Sequence, residues 1–171
     1  MDESKSEQSP HFIFKISSFI PHTVLITVIL YSTFLGGGLG EFSLNINANS
    51  SLKLYVNWVL TSAGFMYAFG HFFLGERVAK SIGWTGGREF QLEVAFANLA
   101  FALTALYTEG AHLSLDAYQA CAFGYNAFLG GCLLVHLLEL VRTRNFSFNN
   151  LIAAPSFSVI NLIYASLLLM K

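Results

Sequence analysis

Six polar side chains sit in or beside apolar runs, where a polar group needs a reason to be: His71, Gln91, Glu93, Asn98, His136 and Glu139. Imidazole titrates near neutral pH and passes protons either way, so His71 and His136 with Glu93 have the makings of a proton or substrate relay. The same imidazoles with carboxylates are metal-ligand types, although the paired Glu-x-x-His repeats of di-iron bundles are missing. An architectural use is also open. In that case Gln91 and Asn98 bond to neighbouring helices, while Glu76, Glu93 and Glu139 lie among headgroups and pair with Arg77, Arg88 or Arg142. An ionised group near mid-bilayer costs roughly 2.5–3.5 kcal/mol on insertion scales, so such groups face protein or water.

Five long apolar runs must position these residues: Phe19–Leu39, Leu54–Gly75, Phe90–Tyr107, Ala117–Val141 and Leu151–Met170. A helix rises about 1.5 Å per residue, so about 20 residues cross a hydrocarbon core of roughly 30 Å. Hydrophobic residues make up 54% of the chain and charged ones 11%, against roughly 25% charged in soluble domains. The expected fold is all-α, an integral membrane helical bundle of about five transmembrane helices with spans two to four as its core. Residues 1–11 read as a disordered cytoplasmic tail and 12–171 as one bundle domain. A net charge of −1 gives no reason to expect nucleic acid. The expected partners are the lipid bilayer, other membrane proteins or a second copy.

Lys5, Lys15, Arg77, Lys80, Arg88, Arg142 and Arg144 fall on one side if all five runs cross, leaving only Lys53 and Lys171 of the nine basic residues opposite. The positive-inside rule then predicts a multi-pass protein of the cell (plasma or inner) membrane, N-terminus cytoplasmic and C-terminus outside. On that topology the second run ends, the third begins and the fourth ends at the same boundary. His71, Glu76, Gln91, Glu93, Asn98, His136 and Glu139 then lie within about two turns of it, roughly 11 Å.

Small residues let helices approach closely in lipid. Asn57, Thr61, Gly64, Ala68, His71 and Gly75 form such a face on the second run. The third run has two, Gln91-Ala95-Asn98-Ala102-Ala105 and Glu93-Ala97-Ala100-Thr104, which predicts a helix wedged between two partners. Between these runs, the second helix is expected to stop at Gly83, with Trp84 anchoring at the headgroups. Arg88 then opens the next helix, whose N-terminus suits a phosphate or lipid headgroup. Cys121 and Cys132 are about 16 Å apart on one helix and read as packing residues, not a disulfide.

Ile82-Gly83-Trp84, then Phe90-Gln91-Leu92-Glu93-Val94 and Ala97-Asn98-Leu99-Ala100, resembles the signature of a family of small bacterial multi-pass membrane proteins with no established function. Gly131 and His136 are similar to that family's pattern as well. The likeness covers Val56 to Leu138, and Thr85 and Arg88-Glu89 stand where proline-containing loop residues are expected. The plan also resembles the DoxX-like four-helix membrane proteins in topology. The resemblance implies an architecture and a choice of residues, not an activity.

No Ser-His-Asp, HExxH or dinucleotide-binding pattern is present, and no cofactor is expected. Three functions stay open: a membrane protein with an intramembrane polar site for a small molecule or proton, a structural or accessory subunit of a membrane complex, and a membrane-embedded metal or redox enzyme.

Overall fold

The structure, a computed structural model, describes residues 20–30, 48–81, 83–84 and 87–170. The tail at 1–11, the part of the first run at 31–39, Ile82 of the signature and Thr85 in the loop lie outside the described residues. Among those described, every regular element is helical: α1 (Ile20–Leu30), α2 (Ala48–Leu54), α3 (Thr61–Ser81), α4 (Arg88–Gly110), α5 (Leu115–Thr143) and α6 (Ala154–Leu169). Two π-helical turns join the set. Tyr55–Leu60 links α2 to α3, and Asn149–Ala153 leads into α6.

Among the described residues, three helices are long and apolar enough to cross a membrane: Arg88–Gly110, Leu115–Thr143 and Asn150–Leu169. Large apolar side chains point outward along the bundle, among them Phe69, Phe73, Phe96, Phe123, Leu134 and Ile163. A soluble monomer would not expose so continuous an apolar surface, and the chain is a helical membrane bundle.

The most extensive helix contact is α3 against α4. It exists because Gly64 has no side chain. A Cβ there would lie 2.8 Å from both the Ala102 Cβ and the Asn98 carbonyl oxygen. Gly75 plays the same part nearer the loop, where a Cβ would lie 2.7 Å from that of Gln91. The face Gln91, Ala95, Asn98, Ala102 and Ala105 is buried in this contact. The opposite face is not. Glu93, Ala100 and Thr104 are exposed and Ala97 is only half-buried, so α4 is an edge helix and not the wedge that its two small stripes predict. A small-residue stripe permits close approach but does not supply the neighbour.

The core is also wider than the second to fourth runs. Phe157, Asn161, Tyr164, Ala165 and Leu168 of α6 are buried in it, with Leu25 and Val28 of α1. The π-turn at Tyr55–Leu60 turns adjacent pairs of residues inward, burying Tyr55 with Val56 and Val59 with Leu60. Tyr55 thereby reaches the bundle centre. Its hydroxyl donates to Asn161 Oδ1 at 3.0 Å and accepts from Asn126 Nδ2 at 2.7 Å, tying three helices together.

Candidate functional site

The end of the bundle that carries Arg77, Lys80, Arg88, Arg142 and Arg144 is the basic end, and two loops shape it. The first closes α3 with a Schellman motif. The Gly83 N–H donates to the Lys80 carbonyl at 3.1 Å and the Trp84 N–H to the Ala79 carbonyl at 2.8 Å. Gly83 has φ +76°, a left-handed conformation that favours glycine. A Cβ there would overlap the Asn145 side chain at 2.3 Å, so the two basic-end loops touch at this point. The second loop turns at Arg144, also left-handed at φ 54°, and enters the π-turn that contains Asn150.

This geometry aims Trp84 inward. Its indole stacks on the His136 imidazole with ring centroids 5.2 Å apart and planes 28° apart. The opposite side of His136 chemistry is set by Asn150. The Asn150 Nδ2 donates to the Asn145 carbonyl at 3.0 Å, which turns Oδ1 toward His136 Nδ1 at 2.6 Å. An amide oxygen only accepts, so His136 Nδ1 carries the proton and Nε2 keeps its lone pair. His71 meets a second amide across the α3–α4 contact, with Nδ1 2.7 Å from Gln91 Oε1.

Polar hydrogens are left over beside them. The Gln91 Nε2 and Trp84 Nε1 groups are buried and have no hydrogen-bond partner. Gln91 as a whole is 1% exposed, so water does not satisfy it at the surface. An unmade hydrogen bond of this kind costs about 1–3 kcal/mol.

Of the residues singled out by sequence, the structure pairs His71 with Gln91 and stacks Trp84 on His136. Glu93 stands apart. It is exposed, because two residues beyond Gln91 is about 200° around a helix, the far side of α4. Glu139 accepts from Thr143 Oγ1 at 3.0 Å on its own helix. Asn98 lies further along α4 at the closest α3–α4 approach, donating to the Val94 carbonyl at 2.9 Å, with its Oδ1 buried and unpartnered. The Arg88 guanidinium lies over the Phe72 ring, 5.9 Å from its centroid. Among the described residues no group of three or more His, Cys, Asp or Glu is arranged to hold a metal.

Sequence reasoning missed Asn150. Its place just before the last apolar run reads as loop, and only the π-turn and the touching loops turn it to His136. At the far end, Glu109 accepts from Asn57 Nδ2 at 2.7 Å and from the Tyr118 hydroxyl. Lys53 Nζ lies 5.4 Å over the Tyr118 ring.

One family model matches the chain over residues 18–171, and its description is Family of unknown function (DUF6790). No curated protein and no solved structure matches.

Proposed function

Because the chain belongs to this family of unknown function, we propose its role from its own residues: the basic end holds a binding site for a small molecule or proton, centred on His71 and His136. One observation carries this. Two imidazoles on different helices are each anchored at Nδ1 by an amide of a neighbouring segment, which leaves Nε2 available beside buried N–H groups that lack acceptors. Anchoring one ring nitrogen fixes the orientation of the other, as it does where histidines work as bases or ligands. Glu93 is outside this site, so the relay runs through the histidines and not through that carboxylate.

The basic end faces the cytoplasm in this proposal, with the N-terminus inside, because most of the Lys and Arg residues cluster there. A second role is favoured by the exposed small face of α4. Glu93, Ala97, Ala100 and Thr104 suit a further helix, as in an accessory subunit of a membrane complex.

Diethyl pyrocarbonate acylates accessible unprotonated imidazole nitrogen, and mass spectrometry assigns the modified residue. In detergent-solubilised protein, His136 is expected to react at a rate within about tenfold of the exposed His112. A His136 that stays unmodified while His112 reacts to completion would overturn the site.

A further inference from the structure

We infer that the first turn of α4 seats one phospholipid with a primary ammonium head, a phosphatidylethanolamine, its phosphate on Arg88 and its ammonium at Glu89. This seat is separate from the histidines. Arg88 opens a helix long and apolar enough to cross a membrane, so it stands at the membrane boundary. Trp84, a residue type that settles at headgroup depth, has its ring centroid 6.2 Å from that of Phe90 in the same turn.

At that depth an arginine ordinarily extends outward to water. Arg88 does the reverse. Its guanidinium lies over Phe72, 5.9 Å from the ring centroid, and one of its nitrogens lies 3.8 Å from where a Gly75 Cβ would be. Gly75 packs on Gln91, inside α4, and Phe72 stands nearly one turn deeper on α3. The cation is thus drawn below its own Cα. Its partner among the described residues is a ring, not one of the carboxylates at that end. A charge so placed calls for a counter-charge from outside the chain. Phosphate offers a guanidinium two oxygens for two N–H donors, and lipid carries phosphate to this depth. Below it lies an apolar wall for the acyl chain. Phe72 meets Phe96 at 6.0 Å and Phe73 at 4.9 Å between centroids, and all three are exposed.

Glu89 goes the other way. One of its carboxylate oxygens lies 3.1 Å from where a Gly87 Cβ would be, back toward the loop that precedes the helix. Adjacent residues therefore part their charges along the helix, cation inward and anion outward. That order matches an ethanolamine phospholipid, whose chains, phosphate and ammonium follow one another toward water. The ammonium has N–H donors for the Glu89 carboxylate, which a choline head lacks. An anionic head gains nothing at Glu89, and Glu93, exposed about one turn further on, repels it as well.

Native mass spectrometry counts the lipids that the full chain keeps on release from detergent. From an equimolar mixture of phosphatidylethanolamine, phosphatidylcholine and phosphatidylglycerol, one phosphatidylethanolamine is expected to stay bound, at least about fivefold above either competitor. Arg88→Gln is expected to lower its retention at least about fivefold. Glu89→Gln is expected to bring phosphatidylethanolamine down to the level of phosphatidylcholine while leaving phosphatidylcholine itself unchanged. Both positions are exposed. Circular dichroism checks that each variant folds, and the wild-type comparison decides alone if one does not. Phosphoethanolamine in solution at the same concentration is expected not to displace the lipid, because it has no chains for the Phe72 wall. Four results would each overturn the seat: phosphatidylglycerol or phosphatidylcholine kept as well as phosphatidylethanolamine, an Arg88→Gln protein that holds the lipid as before, an ethanolamine preference that survives Glu89→Gln, or displacement by phosphoethanolamine.

Discussion

The centre of the bundle and its basic end use the same kinds of bond for different ends. At the centre, the Tyr55 hydroxyl gives to Asn161 and receives from Asn126, and the two amides return to their own helices at the Phe157 and Ala122 carbonyls. None of these groups changes charge near neutral pH. What is left over there is one amide oxygen of Asn126 and the Tyr125 hydroxyl. At the basic end, amides again hold side chains across helices, but the held groups are imidazoles, and the leftovers are a lone pair and two N–H donors. A polar knot in a membrane bundle is architectural when its spare capacity is inert. It becomes chemical when that capacity is titratable and complementary.

The largest effect that tests this contrast falls on neither knot but on the contact that holds α3 to α4. Gly64→Leu drives a side chain into the Ala102 and Asn98 backbone and is expected to cost about 3 kcal/mol, read as a fall in thermal midpoint in detergent. A Gly64→Leu protein as stable as wild type would mean that the contact is not what aligns His71 with Gln91. Tyr55→Phe comes next. It removes the bonds to Asn161 Oδ1 and Asn126 Nδ2 and is expected to cost about 1–2 kcal/mol while leaving His136 acylation unchanged. Loss of acylation at preserved stability would join the two regions into one functional path. Glu93→Gln is the smallest, within about 0.5 kcal/mol of wild type and without effect on His136 acylation. Abolished acylation would return Glu93 to the site.

Much of the bundle was legible because lipid forces long apolar runs and close helix contacts need small residues. Gly64, His71 and Gly75 announced their face, and Gly83 announced the end of α3. The edge position of α4 was not legible, since a small stripe such as Ala97 and Ala100 looks the same with or without a neighbour. For the site, equal depth grouped His71, Gln91 and His136 and also swept in Glu93, which is exposed on the far side of α4. Depth along a helix says nothing of the direction a side chain takes around it. Asn150 was hidden for a related reason. Its orientation depends on an extra residue in the turn before α6 and on contact between loops more than sixty positions apart, Gly83 with Asn145.

Nitrogen-15 NMR of histidine-labelled protein in lipid bilayers examines His136 directly. The expected spectrum has His136 protonated at Nδ1, the nitrogen that faces Asn150 Oδ1, with an Nε2 that bears no proton. A His136 fixed in the opposite tautomer would contradict a working site at the basic end.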